Sequence, residues 1–312
     1  MNVVLIPFFL VARVAVDEPW EYGPEFIYDV EVHSTAIPAE ESSASVRLHL
    51  ASRLICQPKG PFTLSCHFRD SNASSYVTRN VDPRIPAIPI TKVIRQEAYE
   101  ISQDQFEIRF NKQGLANLVV NENIQPRELD MIRAIVEQLN IAVDIEDTNE
   151  DSFEVMENFT QGECVTIYTL DRKILGRSLY AKRGYVLETP FGLKDGQLLQ
   201  IRKIRNLHMC THTVPYFFGS SGGIVAGDVF STINSWESNI LITTTELISS
   251  VSNAITASKI SEGIITTLYE NITLRLETIV PATSLPPEMN NSEIVSTFIG
   301  RWPMDSSSEE DR

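Results

Sequence analysis

Through much of this chain hydrophobic residues recur at every second position, and they take helical spacing plainly in only one stretch. In WEYGPEFIYDVEV, Phe26, Tyr28, Val30 and Val32 fall on one face and Asp29, Glu31 and His33 on the other. That is the period-two pattern of a half-buried strand. It returns at Val46, Leu48 and Leu50; at Phe62, Leu64, Cys66 and Phe68; at Phe106, Ile108 and Phe110; and at Ile272, Leu274 and Leu276. Turn residues such as PKGP and KQG separate these runs. PRIPAIPITK carries Pro83, Pro86 and Pro89, which remove ladder donors and predict an extended connector or an edge. Alternation resumes over 142–146 before the polar loop EDTNEDS, and VSNAITASKISEGI suits a helix or a strand.

The exception is IQPRELDMIRAIVEQLNI. Pro126 sits where a first helical residue tolerates a missing N–H, and Glu128 places negative charge in the first turn. Leu129, Ile132, Ile135, Val136 and Leu139 follow helical spacing, and Asn140 is a suitable stop. Burying five aliphatic side chains stabilises by roughly 7–15 kcal/mol as an upper bound. A sheet with one apolar face needs a filler, and this helix is the available one.

With 312 residues, 43% hydrophobic and 21% charged, the chain can bury a large core. The formal charge of −15 argues against a nucleic-acid partner. Residues 1–16 hold an apolar run, Val3 to Ala12, too short to span a bilayer. The run reads as a signal-peptide core, a buried N-terminal strand being the alternative. Sequons at Asn72, Asn158, Asn271 and Asn290 would carry sugars if the chain is secreted. Cys56, Cys66, Cys164 and Cys210 allow three pairings and fit no CxxC zinc pattern, so two disulfides are expected. Cys56 and Cys66 flank QPKGPFTLS, where a hairpin would set them opposite each other; free thiols are the alternative.

Three blocks, WEYGPEFIYDVEV, FNKQGLANLVVNENIQPRELDMIRAIVEQLNI and NFTQGECVTIYTLDR, occur in the order found in vitellogenins. Over about Trp20 to Arg172 the chain resembles the N-terminal module of the insect type, within the large lipid transfer protein family. The resemblance implies a mainly β fold with some α: an antiparallel β-barrel-like sheet over residues 17–303, wrapped around one central helix at about 125–140. It also implies a secreted, non-enzymatic module of a lipid-transport or yolk-storage protein that acts by binding a lipoprotein-type receptor. Lipid in that family sits in later domains, so lipid carriage would require domains beyond residue 312. The acidic, serine-rich 304–312 resembles the start of the family's linker to them. Cys164 matches the family cysteine of its block, which implies Cys210 as its partner.

The remaining chemistry is judged beside that reading. HMCTH sets His208, Cys210 and His212 at alternate positions, a weak zinc candidate that fails if Cys210 is in a disulfide. GSSGG has Ser221 where a nucleophile elbow would, yet all five histidines lie at or before residue 212, against the hydrolase order. No cofactor is expected. Charge is more informative: between Asp171 and Cys210 nine basic residues face three acidic ones, a net +6 that leaves −21 elsewhere. Arg172, Lys173, Arg177, Lys182, Arg183, Arg202, Lys203 and Arg205 are therefore candidates for docking acidic receptor repeats. Anionic lipid or glycan surfaces, as in an immune-type recognition protein, are the alternative partner, and a solvated strand face is the bland one.

Overall fold

A computed structural model describes residues 2–5, 11–14, 20–40, 44–78, 91–93, 101–111, 114–141, 151–175, 185–188, 193–220, 229–259, 261 and 263–299. The first half of the chain forms β1 (Asn2–Leu5), β2 (Val11–Val14), β3 (Pro24–Pro38), β4 (Ser45–Gly60), β5 (Thr63–Thr78), β6 (Thr91–Val93), β7 (Phe106–Asn111), β8 (Gly114–Asn121) and helix α1 (Pro126–Val136). The second half forms β9 (Ser152–Phe159), β10 (Gly162–Ile174), β11 (Tyr185–Glu188), β12 (Gln197–Thr213), β13 (Val229–Ile242), β14 (Leu247–Lys259), β15 (Ile264–Pro281) and β16 (Ser292–Ser296). The strand pairings among the described residues are antiparallel; for instance β15 pairs with β3 and joins the two halves.

The large sheet runs β16-β8-β7-β5-β4-β3-β15-β14-β13-β12-β10-β9, with β6 beside β5. Alternation built it as expected: Phe26, Tyr28, Val30 and Val32 are buried on one face of β3, and Ile272, Leu274 and Leu276 do the same on β15. Val46 and Phe62 depart from the pattern, each about half exposed at a strand start and in a turn. The ambiguous stretch near 251–264 is strand β14 with its turn, and Thr91–Val93 is the described part of the proline-rich connector. The alternating residues 142–146 lie outside the described residues.

The helix falls where expected and continues as a 3-10 turn over Glu137–Leu139. Pro126 occupies its first turn, and Glu128 Oε1 accepts from the Ser102 N–H at 2.8 Å. Its burial is wider than the apolar stripe. Asp130, Arg133, Glu137 and Gln138 are buried as well as Leu129, Ile132 and Ile135, so both faces meet protein. Because Ile132 is only 3% exposed, Ile132→Val should cost about 1 kcal/mol, measured as a fall in the urea midpoint.

The expected barrel is not formed. The end strands β16 and β9 do not pair with each other among the described residues. The helix and its flanks hold these ends instead. Arg133 Nε donates to Ser296 O at 2.9 Å beside β16, and Asn140 Nδ2 reaches Asn158 O on β9 at 3.4 Å. Ile299 N–H donates to Thr160 O at 2.6 Å. Side chains and loop amides thus span the opening where a ladder would close a barrel, and the sheet stays open around its helix.

Residues 2–5 and 11–14, inside the expected leader, pair as a hairpin that docks on β11. No described helix is long and apolar enough to cross a membrane. The tail 304–312 lies outside the described residues.

Candidate functional site

Strand β12 carries most of the described basic candidates, and its alternation divides them. Leu199, Ile201, Lys203 and Arg205 share the inward face, while Arg202 points out. Lys203 and Arg205 are therefore buried in the core, which removes them from a solvent-facing basic surface. Arg202 is exposed but bidentate on Glu237, at 2.6 and 3.2 Å. Lys173 is exposed with Asp171 at 2.9 Å and Gln200 at 3.0 Å. Arg172 and Lys194 are exposed; Arg177, Lys182 and Arg183 lie outside the described residues.

The two inward cations complete a charge cluster under the helix. Arg205 lies 3.2 Å from Glu137 and 3.3 Å from Glu157, and it donates to Thr166 Oγ1 at 3.1 Å. Lys203 Nζ pairs with Glu157 and donates to Asn140 O at 3.2 Å. Tyr168 OH donates to Glu157 Oε1 at 3.0 Å, and the Thr160 hydroxyl donates to Glu137. The Arg205 guanidinium stacks between Phe159 and Trp236, 3.6 and 3.7 Å from the ring centres. Two anions and two cations balance. Burial pushes the Glu157 carboxyl up, but Lys203, Arg205 and their hydrogen bonds together hold it below the usual range. The arrangement ties α1 to β9, β10 and β12, and it has the character of a structural lock.

A second buried carboxylate is different in kind. Glu270, on the inward face of β15, accepts from Phe218 N–H at 2.7 Å, Asn253 Nδ2 at 3.2 Å and the Ser34 hydroxyl at 3.4 Å. The other buried carboxylates, Glu107, Asp130, Glu137 and Glu157, each have a cation within 3.5 Å, whereas the contacts of Glu270 are neutral donors. Burial, beyond what those hydrogen bonds offset, raises its carboxyl to about 7. Strand parity marks the inward β12 and β15 members of both clusters, though not their partners. Lys203 and Arg205 continue the Leu199–Ile201 face, and Glu270 continues the Ile272–Leu274 face.

Both expected disulfides are present, Cys56–Cys66 and Cys164–Cys210, each joining directly registered residues of neighbouring strands. His208 and His212 are exposed, and the sulfur between them is committed to Cys164, which leaves HMCTH without a thiolate. Gly162 at the start of β10 has φ +151°, and a Cβ there would lie 2.0 Å from the His212 carbonyl oxygen. That close approach explains the glycine in QGECV. Asn72, Asn158 and Asn290 are exposed, whereas Asn271 is half-buried and donates to Ser252 Oγ at 2.8 Å. In GSSGG, Gly219 and Ser220 lie in a turn in which Ser220 Oγ donates to Phe217 O at 2.6 Å; Ser221 lies outside the described residues.

An open antiparallel sheet around a helix buried from Leu129 onward, stapled by two disulfides, defines the class of the module. The family model for the vitellogenin N-terminal domain matches residues 20–272, and the chain belongs to that family. Vitellogenin-A1 of Aedes aegypti is 22% identical over 222 residues, covering 65% of this chain and 10% of the mosquito protein. The chain thus spans about a tenth of the length of that relative. The solved structure described as lipid–protein interactions in lipovitellin superposes on 92% of this chain and 28% of its own, with a TM-score of 0.58 and 12% identity. At that identity the likeness shows the fold.

Proposed function

We propose that this chain is the receptor-facing module of a secreted, non-enzymatic lipid-transport or yolk-storage protein. The observation that carries the reading is the family match across residues 20–272, and the two disulfides suit an oxidising, extracellular compartment. Four sequons are consistent with passage through the secretory route, where sugars would be added. Lipid carriage is the part of this role that calls for further domains. The lipovitellin chain is more than three times the length that this module superposes on.

Receptor contact falls to the exposed cations Arg172, Lys173, Lys194 and Arg202, with Arg177, Lys182 and Arg183 from the same basic segment. Rim charges of this kind steer encounter and set salt dependence. Lys203 and Arg205 take no part, because the core holds them.

Surface plasmon resonance of the chain over the acidic repeats of a lipoprotein-type receptor, and over phosphatidylserine liposomes, tests the proposal. Charge reversal at Arg172, Lys173 and Lys194 should weaken receptor binding by about tenfold or more and flatten its salt dependence. Binding to liposomes alone, unaffected by soluble receptor, would replace the receptor role with the membrane-recognition alternative. Ester hydrolysis abolished by Ser221→Ala would overturn the non-enzymatic assignment.

A further inference from the structure

The open sheet leaves β9 as an end strand, paired only with β10 among the described residues. An end strand presents unpaired amides and carbonyls that template association with a second chain. Proteins blunt such edges with charged side chains, above all lysine, and with proline, bulges, short length or a covering loop. The sequence of β9, SFEVMENF, contains neither lysine nor proline, and it pairs over eight residues without a register shift. The opposite end strand, β16, is only five residues long. Beside this edge, which no second strand covers among the described residues, the outer face of β9 shows Ser152, Glu154, Met156 and Asn158, with Met156 half exposed. Glu157 points inward but is matched by Lys203 and Arg205, so it does not repel a docking strand.

Glu154 and the Asn140 and Ile299 contacts at its C-terminal end guard this edge only in part, and a further device is written in the same strand. Asn158 begins the sequon Asn158-Phe159-Thr160 and its side chain is exposed. The other sequons are placed differently. Asn72 and Asn271 lie on the interior strands β5 and β15, Asn271 with its amide engaged by Ser252, and Asn290 precedes β16. We propose that an N-linked glycan on Asn158 caps the β9 edge and keeps the module from self-associating through it. A strand adding to β9 would lie about 4.8 Å away, within the space swept by the first sugars of a bulky, hydrated oligosaccharide.

The modification is a group transfer from a polyprenyl-pyrophosphate oligosaccharide. The bond from the anomeric carbon to Asn158 Nδ2 forms, the bond from that carbon to the pyrophosphate oxygen breaks, and Nδ2 loses one proton. Thr160, which completes the sequon, is buried in the folded module with its hydroxyl on Glu137. The transfer therefore precedes docking of this turn.

The inference rests on the secretory route proposed above, and the experiment separates the two. The full chain is expressed in a secretory eukaryotic host, and occupancy of each sequon is read by peptide mass spectrometry after enzymatic release in heavy-oxygen water. Sedimentation velocity then compares the secreted protein, its enzymatically deglycosylated form, Asn158→Gln and the control Asn290→Gln. Asn158 should be occupied. Its loss, by mutation or by deglycosylation of the folded protein, should tighten self-association by about tenfold or more, while Asn290→Gln stays monomeric and Met156→Lys added to Asn158→Gln restores the monomer. A bare Asn158 beside occupied sequons elsewhere would sink the edge cap alone. So would monomeric behaviour after glycan loss. No sequon occupied at all would count against the secretory reading as well.

Discussion

Glu157→Ala is expected to lower the stability of the module by about 3–5 kcal/mol, because it leaves two buried cations facing one buried carboxylate. Glu157 is the hub: Lys203, Arg205, Tyr168 and Asn140 all place a donor on it. Its removal leaves those donors one acceptor short in a core where each unmet hydrogen bond costs about 1–3 kcal/mol. The paired replacement Glu157→Leu with Lys203→Met behaves differently. It deletes one anion and one cation, keeps Glu137 on Arg205, and should cost far less than the single change, since an apolar pair escapes the desolvation of an ionic one. Urea unfolding followed by circular dichroism at neutral pH measures both. Equal losses in the single and paired variants would show that packing, and not charge balance, dominates here. Acid adds a check with a definite sign. The Glu157 carboxyl is held below its ordinary value of 4.5, so its contribution is present above that value and is lost as pH falls through the lower, folded one.

The same cluster shows where sequence reading succeeds and where it stops. Strands such as β3 are legible because Tyr28, Val30 and Val32 alternate with Asp29, Glu31 and His33, with Ile27 the one apolar residue on the polar side. The helix is legible because Leu129, Ile132, Ile135 and Leu139 share one stripe and Pro126 marks the start. The basic segment misled for a physical reason. Summing charge along the sequence ignores parity, and parity sends Arg202 outward but Lys203 and Arg205 inward. Their partners were out of reach of any local pattern, since Glu137 and Glu157 lie 68 and 48 residues from Arg205. Closure of the sheet was equally illegible. It depends on whether β9 meets β16, and the helix flanks decide that through contacts such as Arg133 to Ser296, 163 residues apart. The disulfides needed less: a ten-residue hairpin made Cys56–Cys66 readable locally, whereas Cys164–Cys210 came only with the family resemblance.

Glu270→Gln is the second large effect, and its sign is opposite to that of most buried-carboxylate substitutions. The folded carboxyl titrates at about 7, against an ordinary value of 4.5. Below about 4.5 both folded and unfolded states hold the proton, and Glu270 carries no electrostatic penalty. As pH rises from there to about 7, the unfolded chain ionises first and stability falls. Above about 7 both states are ionised and the penalty levels off at about 3 kcal/mol, since each tenfold change in proton affinity is worth about 1.4 kcal/mol. The geometry around the carboxyl favours its neutral form. Asn253 Oδ1 is buried without a donor, and a protonated Glu270 can supply one once the amide turns, while its other oxygen still accepts from Phe218 N–H. Glutamine reproduces that pattern permanently. Its Nε2 donates to Asn253 and its Oε1 accepts from Phe218. Other charges near the site are few: Glu137 on the turn after α1 adds to the upward shift but is itself paired with Arg205, and Ser34 on β3 contributes only a hydroxyl. Urea midpoints taken from pH 4.5 to 8 should therefore show the variant level with the native protein at the acid end and more stable by up to about 3 kcal/mol at pH 8. A variant destabilised equally across the range would mean that the carboxylate is held by its three donors strongly enough to remain ionised.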